Sequence, residues 1–249
     1  MGRFATTVAL YEKLRPPYPT EFFRTVSARL GLSERHRLID LGTGPGLLAL
    51  GFAPYVGRIV GVDPEPGMLA EARQAAQRAG EDFTLIEGKA EALPVDVGQF
   101  DIVTIGRALH WLQPDATAGL LDRLVAPGGV IAICSSNSAA DERNAWVEAY
   151  NRARRDWSGA ADGVRYGRQV ALRLAGSRFR AGETIAVESR HAVRVEQLAR
   201  RMLTFSSSSP AVLGDKVEDM LRDVEQRLLP FSHSGALDEV VVSTAQIAR

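Results

Sequence analysis

The sequence contains little cysteine, no excess of charge of either sign and no long apolar run. Its one cysteine, Cys134, excludes a disulfide framework and a multi-cysteine metal site, and its apolar neighbours predict a buried structural thiol. Because 30 basic residues balance 30 acidic ones, no global positive field attracts nucleic acid. The short apolar runs and the absence of a signal-type N-terminus favour a cytoplasmic protein with no membrane partner. No histidine pair stands at metal-ligand spacing, so we expect no metal.

The length and the hydrophobic content indicate one domain spanning residues 1–249. The 249 residues are 45% hydrophobic, which is ample for one substantial core and short for two independent ones. In the first half, short apolar strand candidates alternate with helical patterns. The strand candidates are Arg37–Leu41, Arg58–Val62, Asp82–Glu87, Asp101–Gly106 and Val130–Ser135. The helix candidates are Leu47–Tyr55, Pro66–Ala79 and Asp115–Val125, the last with Asp115 as its N-cap. This alternation predicts an α/β fold with a doubly wound, mostly parallel sheet.

The pattern changes after Ser138, where longer helical segments take over. The predicted helices there are Asp141–Trp157, Val195–Phe205 and Ala211–Leu228. The strand candidates Glu183–Val193 and Leu237–Ile247 are expected to close a seven-stranded sheet as an antiparallel pair. Residues 139–182 and 194–230 are therefore predicted to be helical insertions that form a cap over the substrate pocket.

The most informative segment is an apolar strand that runs into a glycine-rich turn, Leu38–Gly46, and is followed by an apolar helix pattern. Glycines let a backbone approach a ligand closely, and a helix N-terminus offers N–H groups to it. A second short strand ends in Asp63, seventeen residues after Gly46, where an acid can hold two ribose hydroxyls. The segment therefore predicts a βαβ unit that binds a cofactor containing adenosine.

The glycine spacing and one acid narrow the choice of cofactor. A dinucleotide fingerprint needs Gly or Ala three residues after its second glycine, and that position is Leu47. Asp40 lies two residues before the first glycine, where its carboxylate would repel a pyrophosphate and attract an ammonium group. We therefore expect S-adenosyl-L-methionine, which carries adenosine at one end and an amino group at the other.

Five ordered motifs resemble those of the class I S-adenosylmethionine-dependent methyltransferases. They are Asp40–Gly46, Val62–Pro64 with Met68–Leu69, Gly88–Pro94, Phe100–Val103 and Ala126–Gly129. The segments Tyr11–Pro19 and Leu109–Leu112 are most similar to the ubiquinone/menaquinone-biosynthesis-like group of small-molecule methyltransferases (methyltransferase type 11). The resemblance implies a Rossmann-like methyltransferase fold, with a cofactor-binding core at residues 36–138 and methyl transfer to a small molecule.

The resemblance assigns cofactor-binding residues by their place in these motifs. They are Asp40, Gly42, Thr43, Gly44, Gly46, Asp63, Pro64, Met68, Lys89, Ala90, Glu91, Gly106 and Arg107. The backbone N–H of Ala90 is expected at the adenine edge, whereas Lys89 replaces the usual acceptor and is expected to point to water. Met68 is assigned to the adenine, with core packing as the alternative. Arg107 is either a partner for a carboxylate of the cofactor or substrate, or a solvated arginine.

His110 follows the fourth strand, at the rim where substrate meets cofactor in this fold family. A histidine there can act as a general base, because its ordinary pKa is near neutrality. The alternative is a histidine of the pocket wall beside Trp111, since methyl transfer from an activated sulfonium can proceed by proximity and orientation alone.

The N-terminal segment 1–19 resembles a lid that lies across the cofactor pocket in related proteins, and its prolines favour a defined extended path. The lid residues expected to reach cofactor or substrate are Tyr11, Arg15 and Tyr18. Trp146 and Tyr150 are further candidates for the substrate pocket, together with Trp111. The helical spacing of Trp146 and Tyr150 fits core packing as well.

Three functions stay open at the level of the sequence. The leading one is methyl transfer to an oxygen, nitrogen or carbon nucleophile of a small molecule, by a monomer or homodimer. A nucleic-acid methyltransferase is disfavoured by the zero net charge and by Gly106-Arg107-Ala108-Leu109, which replaces the Asn/Asp-Pro-Pro-Tyr signature of base-amino methylation. The third is a non-catalytic cofactor-binding module, because binding does not prove turnover.

Overall fold

The computed structural model describes residues 14–158, 166–205 and 207–249. The strands are β1 (Arg37–Leu41), β2 (Arg58–Asp63), β3 (Thr84–Glu87), β4 (Phe100–Gly106), β5 (Val125–Ser138), β6 (Ala181–Arg194) and β7 (Ala236–Ala248). The α-helices are α1 (Thr20–Leu30), α2 (Leu47–Phe52), α3 (Pro66–Ala79), α4 (Pro114–Leu124), α5 (Val147–Ser158), α6 (Tyr166–Leu174), α7 (Val195–Arg201), α8 (Pro210–Leu213) and α9 (Val217–Leu228). Single 3₁₀ turns span Ala53–Tyr55, Ala90–Ala92, Val95–Val97, Leu109–Trp111, Met202–Thr204, Gly214–Lys216 and Leu229–Phe231.

The seven strands form one sheet in the order β3-β2-β1-β4-β5-β7-β6. β1 pairs in parallel with β2 and β4, β2 with β3, and β4 with β5. The C-terminal strand β7 is antiparallel, so the predicted sheet is confirmed. Because β1, β2 and β4 are parallel neighbours, their carboxyl ends meet at one edge, where ligands bind in open α/β sheets.

Alternating side chains of the central strands pack on opposite faces of the sheet. In β1, Leu38 joins one buried apolar cluster and Ile39 the other, and in β4 the same holds for Ile102 and Val103. Both faces are thus covered, which explains why these strands are apolar throughout. Cys134 is buried on one of these faces, as predicted, and burial raises the pKa of its thiol.

The chain divides into two compact units. The sheet unit comprises Tyr18–Ser135, Val164–Val187 and Ser243–Arg249, and the helical unit comprises Met1–Pro17, Ser136–Gly163 and Glu188–Val242. The helical unit has its own apolar cluster, to which α5, α7 and α9 contribute. The assignment of a single domain with a lid, a core and two insertions stays a prediction.

Two of the predicted helix starts are wrong. Helix α4 begins at Pro114 with Gln113 as its N-cap, so Asp115 lies in the first turn instead of capping the helix. The helix predicted from Asp141 begins only at Val147, because Asp141 accepts a hydrogen bond from the backbone N–H of Arg143 and holds a turn.

The other predicted elements are present, most of them with shifted ends. Helix α3 has the predicted bounds, since Pro66 occupies its first turn and Gly80 ends it in the left-handed conformation. The segment predicted as one helix at Ala211–Leu228 is divided by a 3₁₀ turn into α8 and α9. Helices α1 and α6 were not predicted, and α1 buries Phe22, Phe23 and Val26.

None of the helices in the described part of the chain has the length and hydropathy needed to cross a lipid bilayer.

Candidate active site

The glycine turn connects β1 to α2 and leaves space at its centre. Gly42, Gly44 and Gly46 have φ angles between +54° and +87°, a region that side chains disfavour. A Cβ atom on Gly42 would lie 2.4 Å from the Cβ of Ala108, whereas no described atom lies within 4 Å of the corresponding position on Gly44. The backbone at Gly44 is therefore open to a ligand.

Asp63 ends β2 beside this turn and is held in one orientation by the backbone. Its Oδ2 accepts a hydrogen bond from the N–H of Gly44 at 2.9 Å, and its Oδ1 accepts one from the N–H of Glu65 at 2.9 Å. Burial raises the pKa of this carboxyl, and the two backbone hydrogen bonds act in the opposite direction. Each carboxylate oxygen keeps further acceptor capacity, so the group can accept hydrogen bonds from two vicinal hydroxyls.

Asp40 is a fully buried acid in β1. Its Oδ1 accepts a hydrogen bond from the Oγ1 of Thr104 at 2.8 Å. Burial raises the pKa of Asp40 to about 6, although the hydrogen bond from Thr104 favours the ionised form. The fold therefore holds a carboxylate at an energetic cost directly before the glycine turn, which a nearby cation would offset.

Thr104 is a functional neighbour that sequence reasoning missed. It is the buried polar residue of an otherwise apolar stretch of β4, and the parallel register places it opposite Asp40. The signal was present in the sequence as a threonine between Val103 and Ile105. Its meaning depends on the pairing of β1 with β4, which the sequence alone does not state.

The residues expected near the adenine differ in exposure. Met68 and Ala90 are buried, whereas Pro64 and Lys89 are exposed. Glu91 accepts a hydrogen bond through Oε1 from the backbone N–H of Gln113 at 2.6 Å, which ties it to the start of α4. Burial of Met68 fits both the adenine contact and the core-packing alternative, and Ala90 packs in one of the apolar clusters of the sheet.

The end of β4 is narrow and conformationally strained. A Cβ atom on Gly106 would lie 2.6 Å from the Cδ1 of Leu48, so only glycine fits there without displacement of that side chain. Arg107 has a φ of +56°, a conformation that a non-glycine residue adopts at a cost of about 1–3 kcal/mol. Its guanidinium carbon lies 5.2 Å from the ring centre of Tyr18, within cation–π range. Strain of this kind is a marker of functional sites.

His110 and Trp111 lie on the exposed 3₁₀ turn after β4. The two rings are 4.8 Å apart between centroids and are tilted by 42°. The backbone carbonyl of His110 accepts a hydrogen bond from Nη2 of Arg173 at 3.4 Å, which ties the turn to α6. The His110 side chain is exposed, so its ring is accessible for proton exchange.

The candidates for the lid and the substrate pocket fall in different places. Tyr18 belongs to the sheet unit, Tyr11 lies outside the described residues, and Arg15 belongs to the helical unit, where its Nη2 donates to the carbonyl of Thr204 at 2.9 Å. The rings of Trp146 and Tyr150 pack edge to face at 5.9 Å within the core of the helical unit. These ring positions support the core-packing alternative.

Known proteins share both sequence and fold with this chain. Residues 39–133 match a family model described as a methyltransferase domain. An uncharacterised methyltransferase of Mycobacterium bovis is 33% identical over 144 residues, which cover 58% of this chain and 55% of that protein. A demethylmenaquinone methyltransferase of Thermus thermophilus is 40% identical over 101 residues, which cover 39% of this chain and 46% of that protein. The chain therefore spans about half the length of the curated relatives it matches.

The fold similarity extends over the whole chain. A methyltransferase from Geobacter sulfurreducens, solved in complex with S-adenosyl-L-homocysteine, superimposes with a TM-score of 0.57 at 16% identity, over 100% of this chain and 98% of that chain. The motifs and the sheet order resemble those of the class I S-adenosylmethionine-dependent methyltransferases, and the sequence match to a methyltransferase domain covers the cofactor-binding half of the sheet. Residues 39–133 are the part of the chain that matches the methyltransferase domain.

Proposed function

We propose that the chain binds S-adenosyl-L-methionine through the glycine turn, Asp40 and Asp63, and transfers its methyl group to a small-molecule oxygen, nitrogen or carbon nucleophile. The observation that carries this proposal is the Asp63 carboxylate, which two backbone N–H groups fix at the end of β2 beside the open Gly44. A fixed acceptor at this place suits the two hydroxyls of a ribose.

The residues present fit this cofactor at both of its ends. At the adenosine end, Asp63 offers carboxylate oxygens, and the buried Ala90 and Met68 offer an apolar wall. At the amino-acid end, the buried Asp40 is a carboxylate whose ionisation an ammonium group would favour. The Gly44 backbone is open enough for the ligand to pass between these ends.

When bound, the cofactor supplies an electrophilic methyl group on a sulfonium, which needs no further activation. The protein then has to hold the acceptor in line, exclude water and remove a proton where the acceptor carries one. His110 is our candidate for the last task, because a ring nitrogen of this exposed histidine can take a proton from a hydroxyl, an amine or an acidic carbon. If no proton needs removal, orientation alone provides the rate.

A small-molecule acceptor is supported by the relatives. The relative from Thermus thermophilus is named demethylmenaquinone methyltransferase, which gives a small molecule as the methyl acceptor of that protein. The balanced charge of this chain agrees with an uncharged or weakly charged partner instead of a nucleic-acid backbone.

The binding step is tested by titration calorimetry with S-adenosylmethionine and S-adenosylhomocysteine. We expect Asp63→Ala to weaken binding by about 2 kcal/mol, roughly 30-fold, because charge-assisted hydrogen bonds are lost. The matched control is Asp96→Ala, which removes an exposed acid from the same unit and should leave binding unchanged. Unchanged affinity in Asp63→Ala, or preferential binding of a nicotinamide dinucleotide, would contradict the proposal.

The transfer step is tested by release of S-adenosylhomocysteine in the presence of a metabolite extract. We expect release that depends on the small-molecule fraction. Cofactor binding without release from any fraction would favour a non-catalytic binding module. Release that requires the nucleic-acid fraction would favour a nucleic-acid methyltransferase.

A further inference from the structure

Strand β6 forms a long open edge of the sheet. It has fourteen residues, whereas β3 at the opposite edge has four. In the described part of the chain, no turn, loop or helix forms a backbone hydrogen bond with residues 182–193. The outward N–H and C=O groups of β6 therefore face solvent, and a row of such groups is a template for pairing with another strand.

The residues of β6 alternate regularly between two faces. From Glu183 to Arg194, the odd-numbered residues are buried or half-buried and the even-numbered residues are exposed. This unbroken alternation is that of a strand without a bulge, and the strand contains neither proline nor lysine. Bulges, prolines and lysines are common means by which edge strands avoid pairing. The edge of β6 is therefore able to accept a further strand.

The side chains of β6 are complementary to those of a second, antiparallel copy of the same strand. In a register with a two-fold axis at Ser189, Glu188 of each copy lies opposite Arg190 of the other copy. The neighbouring pairs in this register are apolar: Ala186 with Ala192, and Ile185 with Val193. An axis one residue earlier or later would set Glu188 opposite Glu188 or Arg190 opposite Arg190, and like charges in these positions are destabilising.

Both charges of the pair are available to a second copy. Arg190 is exposed, and its side chain makes no ion pair or hydrogen bond with a described residue. Glu188 is also exposed and pairs with Arg143, which pairs at 2.7 Å with Asp141 as well. Two carboxylates thus share one guanidinium group within the chain. Arg190 of a second copy would balance the remaining negative charge.

We propose that β6 is the interface of a homodimer, in which two copies pair antiparallel about a two-fold axis at Ser189. Backbone hydrogen bonds between the two edges supply the attraction, and the two pairs of Glu188 with Arg190 fix the register. A contact of this kind closes at two copies, because both copies use the same surface. The interface does not depend on methyl transfer or on cofactor binding.

The experiment is analytical ultracentrifugation of the full chain across the micromolar concentration range. We expect a reversible equilibrium between monomer and dimer. Glu188→Arg sets like charges opposite each other in both pairs, and Arg190→Glu does the same with the opposite sign. Each variant alone should therefore dimerise roughly tenfold more weakly or worse. An equimolar mixture of the two variants should form a heterodimer with the affinity of the original chain, because both of its pairs again join opposite charges.

Arg200→Glu is the matched control, since it makes the same charge change at another exposed arginine of the helical unit. It should dimerise as the original chain does. A monomer at every concentration would overturn the proposal, and so would a dimer that both single reversals leave intact. Thermal unfolding shows whether each variant is folded. If two folded variants do not associate when mixed, the two-fold register at Ser189 is wrong. Growth into open-ended assemblies would contradict a contact that closes at two copies.

Discussion

The buried carboxylate of Asp40 should make the cofactor site a source of instability in the absence of cofactor. Burial raises its pKa from 3.8 to about 6. A group that holds its proton more tightly when folded favours folding at low pH, and this contribution is lost as the pH rises through the folded pKa. Above pH 6 the whole difference between the folded and the unfolded pKa of Asp40 opposes folding. At about 1.36 kcal/mol per pKa unit, this amounts to about 3 kcal/mol.

Asp40→Asn removes this penalty and keeps the hydrogen bond from Thr104, because the asparagine oxygen can still accept it. We expect the free energy of unfolding at pH 7.5 to rise by about 1–3 kcal/mol, and the gain to shrink to below about 1 kcal/mol at pH 4. Cofactor affinity should change in the opposite sense, because the ammonium group loses its carboxylate.

The assay is urea unfolding without cofactor at several pH values between 4 and 7.5, followed by calorimetry with S-adenosylmethionine. Asp96→Asn is the control, since this acid is exposed and its replacement should leave the pH dependence of unfolding as it was. A loss of stability in Asp40→Asn at pH 7.5, or a gain that does not depend on pH, would refute the reasoning. Unchanged cofactor affinity in Asp40→Asn would show that Asp40 does not contact the cofactor.

Two further outcomes follow from the geometry of the site. Gly44→Val and Gly80→Val both force a branched side chain into positive φ and open space, so both should lose about 1–3 kcal/mol of stability, but only Gly44→Val should abolish cofactor binding. Binding retained in a folded Gly44→Val protein would show that the turn does not face the cofactor. His110→Ala should lower the turnover number by roughly 10²–10⁴ and remove a rate limb near neutral pH, while His233→Ala should do neither. Full turnover of His110→Ala at saturating acceptor would leave orientation as the source of rate.

The elements that the sequence predicted well are those with local signals at both ends. Helix α3 has a proline at its start and a left-handed Gly80 at its end, and its predicted bounds are the observed ones. The predicted start of α5 was wrong because the segment before it is held by a local turn at Asp141 and also by a contact with a distant strand. The Asn144 side chain bonds the backbone of Ala139 and of Val240, and no pattern within the segment shows that second contact.

In the candidate site too, residues placed by local signals could be predicted, and residues placed by distant contacts could not. The glycine turn and Asp63 could be predicted, because both lie in a short stretch whose order and spacing carry the geometry. The hydrogen-bond partner of Asp40 could not be predicted. Thr104 is 64 residues away in the sequence and contacts Asp40 only because β1 pairs with β4.

The position of β7 has a consequence for how the chain is made. Of the seven strands, β7 is synthesised last, yet it lies between β5 and β6 in the sheet. Until Ala236–Ala248 has been synthesised, β5 and β6 each present an open strand edge, and the pairing that closes them spans a long stretch of chain. Those two edges are therefore the places where a nascent chain would pair with another copy of itself, and where a chaperone would protect it.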